Sequence, residues 1–220
     1  MQRVLLVSLL FASAAFAQAM LTYPGRTPGK VAAGRDLRKG CALGDSLTYG
    51  HAQVDSPWPE QLTTATHYEW VNAGQNGDTT TGMLGRYLNQ VSGEDCTVVT
   101  LLGGTNDASA GVDPAITCAN LTAIADGVLA AHQELVVLTV PPRRNSGGYG
   151  PELQGRLDAT NACVRSYALA HPSARFVDLN TSLADPEDPA ALNPIWDWGD
   201  HLHPNQAGDD EIRRQVLLVL

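Results

Sequence analysis

Val98-Val99-Thr100-Leu101-Leu102, followed at once by Gly103-Gly104-Thr105-Asn106-Asp107, decides how this chain folds. Five apolar or β-branched residues in a row, without alternation, suit a strand covered on both faces; a strand with one face in water alternates. Leu135-Val136-Val137-Leu138 repeats the pattern. Working outward, strands are predicted at 40–44, 68–72, 97–102, 135–140 and 175–178, and helices at 57–66, 79–91, 113–132, 151–171 and 204–218. Asp113-Pro114 is a cap followed by a first-turn proline, whose missing N–H is not needed there. Strands alternating with helices imply crossover connections and a parallel sheet with helices on both faces. The expected fold class is α/β, a three-layer α/β/α sandwich around five strands, in one domain spanning 39–220.

The chain has 220 residues, 17% charged and 44% hydrophobic, and a net charge of −9. That composition excludes a disordered or fibrous protein. The acidic balance, with no basic cluster, argues against a nucleic-acid partner and against recruitment to an anionic membrane. Residues 1–19 read as a secretory signal: Arg3 supplies the positive start, 4–16 the apolar run, and Ala15-Phe16-Ala17 or Ala17-Gln18-Ala19 the cleavage frame. That run is too short to span a bilayer, so no membrane anchor is expected and the product is extracellular or periplasmic. Residues 20–38, with Pro24, Gly25, Pro28, Gly29 and Gly34, read as an extended arm. Export makes disulfides available to Cys41, Cys96, Cys118 and Cys163, in any of three connectivities, and no C-x-x-C pair suggests zinc. Asn120-Leu-Thr and Asn180-Thr-Ser are glycosylation sequons for a eukaryotic source.

In open parallel sheets, sites gather in the loops beyond the carboxyl ends of strands. The first such loop is Gly44-Asp45-Ser46-Leu47-Thr48-Tyr49-Gly50. Ser46 there is either a helix N-cap or a nucleophile, and a serine nucleophile needs an adjacent base. Asp200-His201-Leu202-His203-Pro204-Asn205 supplies one. An aspartate three residues before a histidine can fold back to accept its ring N–H, so His203 rather than His201 is the candidate base and Asp200 its orienter. Acyl transfer also requires donors for a developing oxyanion. Gly77, before a predicted helix, and Asn106, after the strongest strand, lie in the loops that offer them.

These four blocks, in this order, resemble the SGNH or GDSL hydrolase superfamily. Block one is Gly44-Asp45-Ser46-Leu47, block two Asn72 with Gly77-Asp78-Thr79, block three Gly103-Gly104-Thr105-Asn106-Asp107, and block five Asp200 to Asn205. Asn76 stands where the family usually has serine, and Gly74 where it often has a larger residue. The resemblance implies a flavodoxin-like sheet of strand order 2-1-3-4-5, which makes strands 1 and 3 neighbours. From that order Cys41 is expected to pair with Cys96, at the amino ends of those strands, and Cys118 with Cys163 on successive helices.

The activity implied is that of a serine ester hydrolase working through an acyl-enzyme. Ser46, His203 and Asp200 would form the triad, and Ser46 N–H, Gly77 N–H and the Asn106 side chain the oxyanion hole. No metal or organic cofactor is needed. The substrate expected is a short acyl ester, acetyl foremost, on a small molecule or a polysaccharide, with the chain acting as a monomer. Trp58, Trp196 and Trp198 are either substrate contacts or packing at the base of the loop, and loop 141–150, flexible and carrying Arg143 and Arg144, is either a wall of the site or solvated. No lid-like apolar insertion suggests an interfacial lipase. Lysophospholipase or thioesterase activity is the alternative chemistry, and a non-catalytic carbohydrate-binding module the alternative class.

Overall fold

A computed structural model of the protein describes residues 38–50, 54–66 and 68–220. The expected signal and arm lie outside the described residues, Arg38 excepted. Five strands form one parallel sheet: β1 (Lys39–Gly44), β2 (Glu69–Gly74), β3 (Val98–Leu102), β4 (Glu134–Leu138) and β5 (Ala174–Val177), in the order β2-β1-β3-β4-β5. β1 therefore sits at the point where the winding reverses, and Gly44 is in register with Gly74 on one side and Leu102 on the other. The chains leaving β1, β2 and β3 start abreast, at the kind of crevice where open sheets bind ligands.

Eight α-helices are described: α1 (Ser46–Tyr49), α2 (Trp58–Thr66), α3 (Thr80–Arg86), α4 (Thr105–Ala110), α5 (Pro114–Ala130), α6 (Pro151–Ala170), α7 (Leu179–Ser182) and α8 (Gln206–Leu217). Alternate strand residues divide the core. Ala42, Val98, Leu102, Val136, Leu138 and Val177 pack with Trp58 and Leu62 of α2 and Ile212 and Val216 of α8. Their neighbours Cys41, Leu43, Val99, Leu101, Leu135 and Val137 are equally buried, in the layer built by α3, α5 and α6. Every residue of β3 is buried, which is why its sequence shows no alternation.

The helix expected over 79–91 changes character partway. After Arg86 the chain widens into a π turn, Tyr87–Val91, with Ser92 N–H donating to Tyr87 O, five residues back. The last helix begins at Gln206 rather than 204 because Asn205 is its cap, accepting from Gly208 N–H. Helices α1, α4 and α7 were not expected, being too short for a hydrophobic period to register.

The disulfides are Cys41–Cys96 and Cys118–Cys163. The first joins β1 to the residues entering β3, and the second ties α5 to α6. Of the two sequons, Asn120 already commits its amide nitrogen inside the fold, donating to Thr80 Oγ1 at 3.1 Å and Thr81 Oγ1 at 3.0 Å. Asn180 instead uses its carbonyl oxygen, accepting from Arg165 at 3.2 Å, so its amide nitrogen is not what holds it.

Candidate active site

Ser46 is the first residue of α1 but not its cap. Asp45 is the cap, accepting from Leu47 N–H at 2.9 Å, and this leaves the Ser46 hydroxyl for another partner. That partner is His203, whose Nε2 lies 3.0 Å from Ser46 Oγ. On the other side of the ring, His203 Nδ1 is 2.6 Å from Asp200 Oδ2.

The local sequence explains why Asp200 holds still. Its Oδ1 accepts from the backbone N–H groups of Leu202 and His203 at 3.0 and 2.8 Å, a tight turn that brings residue i+3 back over the carboxylate. Burial pushes the Asp200 carboxyl upward, but the bonds from the His203 ring and from both backbone N–H groups outweigh it and hold the carboxyl below its usual range. An ionised carboxylate only accepts, so Nδ1 carries the ring hydrogen and Nε2 presents its lone pair to Ser46. His201 faces elsewhere: its Nδ1 pairs with Asp197 at 2.9 Å, on left-handed backbone at φ 61°.

Gly77 lies in a turn closed by Asp78 N–H donating to Gln75 O, three residues before α3. Its φ of 74° is one that side-chain-bearing residues avoid, and a Cβ there would face open space. Among the described residues, neither Ser46 N–H nor Gly77 N–H has a protein acceptor. Asn106, on the first turn of α4, donates one Nδ2 hydrogen to Asp78 O at 2.8 Å and keeps the second. Gly104, which precedes α4, packs against α6: at φ 114° a Cβ would stand 2.8 Å from Thr160 Cγ2. The loops after β2 and β3 are stapled by Asp107, which accepts from Thr80 N–H at 2.9 Å and Thr80 Oγ1 at 2.6 Å.

Two expectations need correction, those for Trp58 and for loop 141–150. Trp58 is fully buried, its indole N–H donating to Leu47 O at 2.9 Å, so it supports the nucleophile helix from inside the core and is out of reach of a substrate. Trp196 packs against the same core cluster. Of the three tryptophans only Trp198 is exposed, at 40%, with its backbone N–H donating to His203 O at 3.0 Å. Loop 141–150 is pinned at Arg143: the guanidinium is buried and donates to Thr105 O, Thr105 Oγ1, Ser109 Oγ and Ser146 Oγ. Arg144 pairs with Asp188 at 3.2 Å.

Sequence reasoning missed Arg86, which bonds both to Asp78 and to the carbonyl ends of β1 and β2. It also missed Asp209, whose Oδ2 accepts from Trp58 N–H at 3.1 Å and so ties α8 to the start of α2. An arginine or aspartate inside an amphipathic helix gives no signal of its own; its function is set by what packs opposite. Asp45 was singled out only as part of its block. Burial pushes its carboxyl up to about 7, with the carboxylates of Asp107 and Asp78 adding to the rise against the bond from Leu47 N–H.

Comparison with known proteins agrees with this layout. Residues 42–210 match the model of the GDSL-like lipase/acylhydrolase family. No curated protein matches the chain by sequence. Among solved structures, a GDSL-like lipase from Bacteroides thetaiotaomicron aligns with a TM-score of 0.72 at 20% identity, covering 93% of this chain and 95% of that one. A catalytic mutant of an acetylxylan esterase from Geobacillus stearothermophilus aligns at 0.67 and 20% identity, covering 82% and 93%. A psychrotrophic esterase from Pseudoalteromonas sp., inhibited by monoethylphosphonate, aligns at 0.63 and 21% identity, covering 83% and 96%.

Proposed function

Because the chain belongs to the GDSL-like lipase/acylhydrolase family and is a carboxylic ester hydrolase, we propose that Ser46, His203 and Asp200 are its catalytic triad and that its substrates are short acyl esters, acetyl esters of carbohydrates foremost. The observation that carries the reading is the unbroken line Asp200 Oδ2, His203 Nδ1, His203 Nε2, Ser46 Oγ, with spacings of 2.6 and 3.0 Å.

In the first half-reaction His203 Nε2 takes the Ser46 proton as Oγ bonds to the ester carbonyl carbon. The carbonyl electrons move onto oxygen, which Ser46 N–H, Gly77 N–H and the second Nδ2 hydrogen of Asn106 receive. The C–O bond to the alcohol then breaks, and the alkoxide leaves with the proton from Nε2. In the second half-reaction water replaces the alcohol: His203 takes its proton, hydroxide adds to the acyl carbon, and Ser46 leaves protonated. Asp200 stays ionised throughout and stabilises the imidazolium formed in each half.

Trp198 supports a sugar-bearing substrate, since it is exposed, its backbone is bonded to that of His203, and an indole has an apolar face on which a pyranose ring can stack. The two disulfides support export, because such bonds persist in oxidising compartments. On this reading residues 1–19 are the export signal and the mature chain acts outside the cytoplasm as a monomer, with no cofactor.

The test is p-nitrophenyl acetate hydrolysis by the purified protein with Ser46→Ala as background, together with labelling by an ethyl phosphonate ester and peptide mapping. Activity lost in the variant, with label on Ser46, supports the triad. Label elsewhere, or equal activity in both, overturns it. Acetate release from acetylated xylan is then compared with fatty-acid release from a lysophospholipid. Faster release of the fatty acid replaces the carbohydrate substrate with a lipid one.

A further inference from the structure

We propose that Arg86 is the positioning residue of the oxyanion hole, holding its three donors in mutual register from behind; the inference rests on the reading of Ser46, Gly77 and Asn106 given above. Arg86 is the last residue of α3, immediately before the π turn. Its guanidinium reaches inward under the catalytic loops, and its side chain is only 14% exposed. Nε and Nη2 both bond to Asp78 Oδ2 at 2.8 Å. Nη1 donates to Ala73 O at 2.8 Å and to Gln90 Oε1 at 3.0 Å, and Nη2 also donates to Gly44 O at 3.0 Å.

Each anchor lies within four residues of a donor. Gly44 O ends β1, and Ser46 N–H follows two residues later. Ala73 lies at the end of β2, where the chain enters the turn that presents Gly77 N–H. Asp78 directly follows Gly77, and its carbonyl orients the Asn106 amide at 2.8 Å. The ends of β1 and β2 and the loop after β2 therefore meet on one planar cation, and the loop after β3 joins them through the Asn106 bond to Asp78 O. No other side chain does this, because only guanidinium offers five donors in a fixed plane, and its charge-assisted bonds are the stronger ones in a partly buried site. Lysine in the same place has a compact ammonium that satisfies Asp78 or the carbonyls but not the whole set.

Rate is sensitive to such register. A displacement of about 1 Å in a catalytic group can cost about 10²-fold without any loss of substrate binding. A positioning role is therefore distinguishable from simple bracing of the sheet end. Bracing would lower thermal stability and leave each folded molecule at full rate.

The experiment compares Arg86→Ala, Arg86→Lys and Asp78→Asn with the parent protein for kcat, KM, melting temperature and affinity for a phenylboronic acid, which forms a tetrahedral adduct on the nucleophilic serine. The expected result is a kcat lowered roughly 10- to 100-fold in Arg86→Ala, with KM nearly unchanged, boronate affinity falling in step with kcat, and partial rescue by added guanidinium. Arg86→Lys should lie between Arg86→Ala and the parent, and it carries the test should Arg86→Ala fail to fold. Unchanged kcat in the folded variants overturns the proposal, and so does a kcat loss without a matching loss of boronate affinity. Ser46→Ala separates the two readings: if it keeps activity, the triad falls whatever Arg86 does, whereas inactive Ser46→Ala beside full-rate Arg86→Lys and Arg86→Ala removes only the positioning role.

Discussion

His203 Nε2 stands 3.0 Å from Ser46 Oγ although 157 residues separate the two in the chain. The contact is held from both sides. Asp209, six residues beyond His203, receives Trp58 N–H, and the Trp58 indole donates to Leu47 O beside the nucleophile. Gln206 receives the N–H groups of Asp55 and Ser56 at 2.9 and 3.1 Å and donates to Ser56 O. Helix α8, which follows His203, is thus bonded to the segment that follows α1.

Asp200→Asn should keep the fold and lower kcat by about 10⁴, because an amide that turns a donor toward Nδ1 favours the wrong tautomer. The melting temperature should move little. Steady-state hydrolysis of p-nitrophenyl acetate checks the rate, and circular dichroism the fold; a near-normal rate would remove Asp200 from the triad.

Asn106→Ala should lower kcat by about 10²–10³ with a smaller effect on KM, as expected for a donor that strengthens only in the transition state. Gly77→Ala isolates a different cost. Its Cβ meets nothing, so the penalty is the left-handed backbone, roughly 1–2 kcal/mol, read by urea unfolding, with a loss of kcat from the displaced N–H.

Two tryptophans should behave oppositely. Trp58→Ala removes a fully buried indole and should cost about 3–5 kcal/mol of stability. Trp198→Ala, at 40% exposure, should leave unfolding almost unchanged and raise KM for acetylated xylan more than for p-nitrophenyl acetate. Equal KM changes for both substrates would remove Trp198 from the carbohydrate subsite.

Asp209→Asn should flatten the pH dependence of stability. Burial pushes the Asp209 carboxyl up to about 7, against the bond from Trp58 N–H, while in the unfolded chain an aspartate ionises near about 3.9. Between these values the folded protein holds a proton that the unfolded chain has lost, so this group's contribution is present at low pH and disappears as pH rises through about 7. The asparagine still accepts from Trp58 N–H and carries no charge to desolvate. Relative to the parent, the variant should gain melting temperature at pH 8 and gain nothing at pH 4; thermal scans at the two pH values decide it.

Much of this molecule is legible in its residues. The unbroken runs in β3 and β4 announce strands covered on both faces, and the spacing of aspartate and histidine at 200 and 203 announces a dyad. Local chemistry of that kind survives in a sequence because the partners are near neighbours. The sequence leaves Trp58 open because an aromatic residue close to Ser46 suits a binding face and a core equally well, and only burial separates them. Arg143 is open for the same reason: an arginine in a glycine-rich loop suits a site wall or solvent until Thr105 and Ser109 of α4 are found against it.

The sequence by itself determined the strands and the longer helices, their parallel arrangement, the four loops that hold Ser46, Gly77, Asn106 and His203, and the pairing of Asp200 with His203 rather than His201, because each rests on hydrophobic period, turn-forming residues or a spacing of a few positions. The tertiary structure decided the rest. It brought Ser46 to His203, left the N–H groups of Ser46 and Gly77 without acceptors among the described residues, turned Trp58 inward and Trp198 outward, and placed Arg86 against the ends of β1 and β2 and the loop after β2. These are relations between side chains on different strands and helices, and they exist only once the sheet order and register have set which residues face one another.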